Sequence, residues 1–271
     1  MIPLSPSTFR FSLEHGVGTI TLDRPARLNS LTFESYVELG RFIPSLEAVP
    51  ELRAVVITGA GGAFCSGGDR HDIIAKLFER DMQGLLEFTR VTGDLIRAIR
   101  ALRRPVVAAV NGVAVGAGAV IALACDVRVA SDDARFGFVF PKVGLCGADM
   151  GATYLLPRVV GLGRASELLF FGDLIDAQES HRIGLVNRVV PKNEVLPTAT
   201  QWARRLAEGP AFAHAMTKQM LESEHGMTLD DAIEAEAQAQ AICMAHPDFR
   251  EAFEALMAKR PPRFRGAPEG A

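Results

Sequence analysis

Between positions 106 and 125 the chain reads VVAAVNGVAVGAGAVIALAC, twenty residues without a charge. Surface that apolar has to leave water, either for a lipid bilayer or for a protein interior. The length suits a membrane span, and Gly112 and Gly116 even supply GxxxG spacing. Punctuation inside the stretch argues the other way. Asn111 and three glycines interrupt it, Pro105 precedes the β-branched run VVAAV, and no second span of this kind follows. These features predict a buried strand, a tight turn and the start of a buried helix.

Strand and helix patterns alternate up to about residue 200, which predicts an α/β core. VGTITLD (17–23), RAVVITG (53–59), DVRVAS (126–131) and ARFGFV (134–139) read as strands, and helical periodicity covers 33–46 and 81–102. From Thr198 to Lys259 the pattern becomes helical throughout, with runs at 198–208, 210–224, 228–245 and 247–259. Gly209-Pro210, Gly226 and His246-Pro247 separate them. The expected division is a core over 1–197 and a helical region over 198–271, packed on that core or on a neighbouring subunit. Met1 to Arg10 carries two prolines and no continuous apolar run, so it reads as a loose lead-in and not as a signal peptide.

Charge narrows the partners. With 29 Lys+Arg against 32 Asp+Glu the formal net charge is -3, which leaves no positive excess to neutralise a phosphate backbone and excludes nucleic acid as the main partner. Cys65, Cys125, Cys146 and Cys243 are isolated, with no CxxC pair and no Cys/His cluster at metal-ligand spacing. The expectations are a reduced, cytoplasmic compartment, no metal and no membrane association.

Two glycine clusters each follow a strand pattern, the position where α/β proteins bind ligands. GAGGAFCSGGD (59–69) fails the dinucleotide fingerprint, because GxGxxG counted from Gly59 needs glycine where Phe64 stands, and no GKS or GKT occurs. The second cluster, Gly112 to Gly118, lies between a strand and an apolar helix beginning near Ala117. Small residues let a ligand approach the main chain, and free N–H groups at a helix start favour negative charge. One N–H from each loop would suit an enolate oxygen. Tight packing with ordinary turns is the other reading of either loop alone.

Taken together, ITGAGGAFCSGGD (57–69) and RPVVAAVNGVAVGAGAVIALACD (104–126) resemble the crotonase superfamily, also called the enoyl-CoA hydratase/isomerase family. The resemblance extends to DRPARLNSL (23–31), ARFGF (134–138), LLPRVVG (155–161) and DAQESHRIGLVNRVV (176–190), and covers most of residues 9–260. It implies an α/β fold in the form of a spiral of ββα units, with C-terminal helices that build trimers, often paired into hexamers. It implies an acyl-CoA thioester as substrate, coenzyme A being part of that substrate and no separate cofactor being needed. The oxyanion hole it implies is made by the backbone N–H groups of Gly68 and Ala117. It places the pantetheine and adenine of coenzyme A near Arg27, Leu28, Ser66 and Gly68, and makes Lys259 a contact for a CoA phosphate; a solvated helix-end lysine is the other reading of Lys259. Asp69, beside a glycine turn, is expected to organise its loop and not to catalyse.

The resemblance breaks where hydratases of the family carry two glutamates. Val120 and Phe140 stand at those positions, and neither can transfer a proton. Phe140 is kept as a substrate contact. The remaining carboxylate is Asp149, in GLCGADMGATYLLPR (144–158), where the DxG resembles the aspartate of dienoyl-CoA isomerases. The DMGATY run is similar in spacing to 4-chlorobenzoyl-CoA dehalogenase, and PKVG and GATY are similar to 1,4-dihydroxy-2-naphthoyl-CoA synthase. Two roles are open for Asp149: a proton carrier whose pKa is raised by Met150, Cys146 and Phe140, or the N-cap of a helix over 152–159. His71 and Asp72, which follow the first loop, read as surface residues at a helix start or as groups approaching the thioester or the CoA phosphates, and Glu87 and Arg90 read as a solvated pair or as residues facing the pocket. One carboxylate suffices for double-bond isomerisation; hydration assisted by Asp149, substitution or ring chemistry on an aromatic acyl group, and non-catalytic acyl-CoA binding are the rival readings.

Overall fold

The computed structural model describes residues 5–265. Its main sheet has six strands in the order β1 (Phe9–Glu14), β2 (Val17–Leu22), β3 (Ala54–Gly59), β5 (Val106–Val110), β7 (Val127–Ser131) and β10 (Arg188–Val190). The hairpin β1/β2 is antiparallel, with Phe9 opposite Leu22, and every other pair in this sheet is parallel. A second, smaller sheet joins β4 (Ala63–Cys65), β6 (Val113–Val115), β8 (Arg135–Gly137) and β9 (Ile175–Asp176). The chain therefore gives one strand to each sheet in turn, β3 then β4, β5 then β6, β7 then β8. Parallel neighbours require a crossover after each turn, and repeating that step winds the chain into a spiral of ββα units.

The crossovers include α1 (Phe33–Ser45), the short α2 (Ala75–Leu77), α3 (Met82–Ala101) and α4 (Ala117–Ala124). After β8 come α5 (Ala152–Val160), α6 (Leu162–Phe171) and α7 (Ala177–Arg182), and after β10 come α8 (Val195–Glu208), α9 (Ala211–Ser223), α10 (Leu229–Ala245) and α11 (Pro247–Met257). Strand β3 shows why its sequence reads as a continuous apolar run: all six residues are buried, with Val55 and Ile57 in the large core and Ala54 and Val56 on the other face. Val195, Ala199, Ala203 and Ala207 of α8 close that other face at van der Waals range, which small side chains permit. Helix α8, which straddles the expected division at 197/198, is thus a layer of the sheet.

The uncharged stretch is accounted for by β5, β6 and α4, with every residue of α4 buried. Among the described residues no helix is long and apolar enough to cross a membrane. Three expectations need correction. Residues 1–4 lie outside the described residues, but Phe9 and Arg10 open β1 and are no lead-in. Alternation in FRFSLE, with Phe9, Phe11 and Leu13 inward against Arg10, Ser12 and Glu14 outward, carried that signal. Both glycine loops contain three-residue strands, β4 and β6, too short to show a period of two. The strand expected over 134–139 is confined to β8.

Helix α1 is started by Thr32, whose side chain accepts from the Ser35 N–H at 3.2 Å in a capping box. Its Phe42 is 1% exposed and meets the rings of Phe9 and Phe11 edge-on at 5.1 and 5.0 Å. Deep in the C-terminal region, buried Lys218 of α9 donates to the carbonyls of Ile99 and Arg104 and to Asp126, while Arg53 donates to the carbonyls of Ala207, Gly209 and Arg265. These two cations fasten the last helices to the core. Phe42→Ala removes the aromatic clamp on β1 and is expected to lower the unfolding free energy by about 3–5 kcal/mol, read as a fall in the urea midpoint; a change under about 1 kcal/mol would mean that β1 is held by its ladder alone.

Candidate active site

Strands β4, β6 and β8 are parallel neighbours, so the segments leaving their C-terminal ends meet at one edge. Those segments are Ser66 to Asp69, Gly116 to Ala117 and Phe138 to Phe140. The first two pack main chain against main chain. A Cβ on Gly118 would sit 2.1 Å from the Cys65 carbonyl oxygen, so only glycine fits. Gly67 has φ +93°, and a Cβ there would lie 3.1 Å from the Val115 oxygen and 3.5 Å from the Ala117 nitrogen.

The orientation of Gly68 follows from its neighbours. Leu31 bridges Gly68 in parallel fashion, its N–H donating to the Gly67 oxygen at 2.8 Å and its oxygen accepting from the Asp69 N–H at 2.8 Å. In a parallel bridge the middle residue turns its own N–H away from the partner strand. Ala117 is the first residue of α4, where helical N–H groups lack an intrahelical acceptor. Gly116 before it donates to the Gly137 oxygen at 2.8 Å, tying this loop to β8. Among the described residues neither the Gly68 nor the Ala117 N–H has a backbone acceptor.

Asp69 holds the first loop. Its carboxylate accepts from the His71 and Asp72 N–H groups at 2.9 and 3.1 Å and from the Ser30 hydroxyl at 2.9 Å, and pairs with Arg24 at 3.2 Å. Burial by itself would raise this carboxyl; the two N–H groups, Ser30 and Arg24 outweigh it and hold it well below the usual carboxylate range. Arg24 and Ser30 lie in DRPARLNSL, and nothing in their spacing announced this task.

Asp149 is built differently. It precedes two residues of positive φ, Met150 at 49° and Gly151 at 83°, which turn the chain into α5. Gly151 is the cap of α5, and no side chain caps it. The capping role weighed for Asp149 is therefore filled by Gly151, with the Asp149 main-chain oxygen accepting from Ala152 at 2.8 Å. The carboxyl is half-buried; burial raises its pKa, and a bond from the Met150 N–H offsets part of that rise. Met150 and Phe140, each 6% exposed, belong to the core, whereas Cys146 is exposed.

The remaining positions separate. Arg27 and Leu28 are exposed and lie against the first loop: the Ser66 N–H donates to the Leu28 oxygen at 3.0 Å and its hydroxyl to the Arg27 oxygen at 3.4 Å. Val120 is fully buried within α4. Lys259 is exposed just past α11, and among the described residues no hydrogen bond joins its side chain to these loops. His71, Glu87 and Arg90 are exposed, and Asp72 pairs with Arg24 and Lys76. Among the described residues no group of His, Cys, Asp and Glu could hold a metal ion.

The lowered pKa of Asp69 fixes a sign. Its stabilisation is present above the ordinary carboxylate value near 3.9 and is lost as pH falls through the lower folded value. Asp69→Asn is expected to cost about 2 kcal/mol at neutral pH, the scale of hydrogen bonds to a charged group. Urea titrations should show the gap to the unsubstituted protein shrinking below about pH 4; a gap that stays constant to pH 2.5 would assign it to shape and not to charge.

Comparison with known proteins agrees with this architecture. A family model described as Enoyl-CoA hydratase/isomerase matches residues 12–267. The chain is 38% identical over 254 residues to the 1,2-epoxyphenylacetyl-CoA isomerase of Escherichia coli (strain K12), covering 94% of this chain and 97% of that one. It is 36% identical over 249 residues to the short-chain-enoyl-CoA hydratase of Clostridium acetobutylicum, covering 91% and 93%. A solved structure from Streptomyces coelicolor A3(2) aligns with a TM-score of 0.93 at 46% identity, over 98% of this chain and 100% of that one. An enoyl-CoA hydratase from Polaromonas sp. JS666 aligns with a TM-score of 0.90 at 32% identity, over 96% and 100%. Strand ends converging on two glycine loops, a family model spanning nearly the whole chain and solved structures of the same shape lead to one conclusion: the chain belongs to the enoyl-CoA hydratase/isomerase family, the crotonase superfamily.

Proposed function

We propose that this enzyme binds an unsaturated acyl-CoA, holds the thioester oxygen against the N–H groups of Gly68 and Ala117, and moves a proton with Asp149 to shift a double bond. The observation that carries this reading is the pair of N–H groups without a backbone acceptor among the described residues, on two interlocked loops, together with one half-buried carboxyl, Asp149, in the chain between β8 and α5. Removing a proton from the acyl chain sends its electron pair toward the thioester oxygen as an enolate, where two donors act on the developing charge. Returning the same proton to another carbon completes an isomerisation in which nothing is oxidised or reduced. A single carboxyl can do both, and a raised pKa suits a group that must accept and then give. Coenzyme A enters as part of the substrate, with Arg27, Leu28 and Ser66 as its contacts beside the first loop, Phe140 against the acyl group, and Lys259 reaching a CoA phosphate in its own or a neighbouring subunit.

Hydration with Asp149 as sole acid–base group is the second reading, favoured by the relatives named as hydratases. A panel of acyl-CoAs followed by mass spectrometry separates the two, since hydration adds the mass of one water and isomerisation adds none. Binding without turnover across the panel would leave an acyl-CoA carrier. Asp149→Asn is expected to leave acyl-CoA affinity and melting temperature nearly unchanged and to lower turnover on the order of 100-fold. The acid limb of the activity profile should lie above the ordinary carboxylate value of about 3.9 and disappear in the Asn variant; full activity in that variant would remove Asp149 from the chemistry.

The assembly proposed with this reading is a trimer or a dimer of trimers. Leu229, Ile233, Phe249, Phe253, Leu256 and Met257 on α10 and α11 are more than half exposed, and apolar faces of that extent ask for cover. Light scattering should return three or six times the 29.2 kDa chain mass; a stable monomer at micromolar concentration would overturn the assembly.

A further inference from the structure

Every carbonyl oxygen from Gly59 to Ala63, where the chain passes from β3 into β4, accepts a hydrogen bond from a side chain. Asn111 Nδ2 donates to Gly59 and Gly61 at 2.8 and 3.0 Å, and Lys192 Nζ donates to Gly62 at 3.3 Å. Asn29 Nδ2 takes the other two, Ala60 at 2.9 Å and Ala63 at 2.8 Å, while its Oδ1 accepts from the Arg24 N–H at 2.9 Å. Asn29 is 1% exposed, so these three bonds satisfy a buried carboxamide and fasten the turn 24–31 to a fully engaged stretch of main chain. The same turn holds two consecutive left-handed residues, Leu28 at φ 50° and Asn29 at φ 55°. Asparagine tolerates that region, but leucine does not adopt it readily.

Leu28 gains no core contact from its strained main chain, since its side chain is 52% exposed. What the conformation does is aim the Leu28 carbonyl at the Ser66 N–H, 3.0 Å away, and stand the side chain in solvent beside the first loop. Strain of this kind persists where the surroundings enforce it and something else uses it. The enforcing bonds are those of Asn29. We propose that Asn29 is a positioning residue for the coenzyme A part of the substrate: its carboxamide holds Leu28 left-handed, so that Arg27 and Leu28 meet the ligand next to Ser66. The inference rests on the acyl-CoA reading given above. Gly68 is fixed separately, by the Leu31 bridge and the bonds of Asp69, so loss of the carboxamide acts on binding and spares the thioester donors.

Two substitutions separate the carboxamide from the backbone. Asn29→Gly leaves the left-handed region open and removes the side chain. Asn29→Asp keeps the shape and the acceptor for Arg24, but when ionised has no donor for Ala60 and Ala63. Dissociation constants for coenzyme A and crotonyl-CoA, measured by calorimetry on folded protein near neutral pH, should rise about 10-fold in both variants, the scale of one hydrogen bond. The factor should be the same for both ligands, because the affected contact is to the part they share, and turnover at saturation should stay within about twofold. Acid should protonate the carboxyl of Asn29→Asp and return one donor. Its deficit relative to the unsubstituted protein at the same pH should therefore shrink to about threefold near pH 5, while that of Asn29→Gly stays. In the unsubstituted protein, amide exchange across 24–31 should slow when coenzyme A binds, a readout that needs no variant. Unchanged dissociation constants with a lower melting temperature would make Asn29 structural and overturn the proposal, as would a fall in turnover at unchanged affinity or unaltered exchange across 24–31. An unsubstituted protein that binds neither ligand overturns the acyl-CoA reading itself.

Discussion

The site depends on the approach of two main chains with no side chain between them. Cys65 faces Gly118, and Gly67 faces Val115 to Ala117, at distances a single Cβ would close. That contact sets where the Gly68 and Ala117 N–H groups stand, and it is enforced from beneath. Helix α4 is buried along its whole length, so its N-terminus cannot tilt without disturbing the core. From above, Asp69 and Arg24 tie the first loop to the turn carrying Leu28 and Ser30. Two free donors in a half-buried edge are a standing cost, and the surrounding packing keeps them where they are.

Two carboxyls, Asp69 and Asp149, are driven in opposite directions by their surroundings. Asp69 is supplied with four donors and stays ionised, so it serves as a fixed anchor for the loop. Asp149 has one backbone donor and a largely apolar setting, so its proton affinity rises. The same functional group thus performs a structural task in one place and is suited to a chemical one in the other, the difference lying in donors supplied and water removed. The left-handed Met150 contributes as well. A methionine at φ 49° is an unfavourable choice for a turn, and it persists where the turn fixes the direction of the residue before it.

Much of this was legible in the chain. The uncharged run 106–125 resolved into strand, turn and helix because Pro105, Asn111 and the glycines punctuate it, and the strand β3 and helix α3 followed their periodicities closely. Strands β4 and β6 were hidden, since three residues inside a glycine loop carry no period, and they exist through pairing with each other. Strand β1 is readable in its alternation, although it follows directly on a segment with two prolines. At the site, the glycines, Asp69 and Asp149 were visible as punctuation and as isolated carboxylates in motifs. Arg24 and Ser30 were not, because what distinguishes them is their partner Asp69, far away along the chain.

The division between main-chain and side-chain contributions explains how one scaffold accommodates several reactions. Donors at Gly68 and Ala117 belong to the backbone, so Val120 on the buried face of α4 and Phe140 after β8 can stand where no proton is handled without disturbing them. Side chains are then free to change in the loop between β8 and α5, which is not part of either sheet. Asp149 sits in that loop, just ahead of the turn that Met150 and Gly151 make into α5. A change of side chains in that loop leaves the two glycine loops as the packing of Gly67 and Gly118 demands.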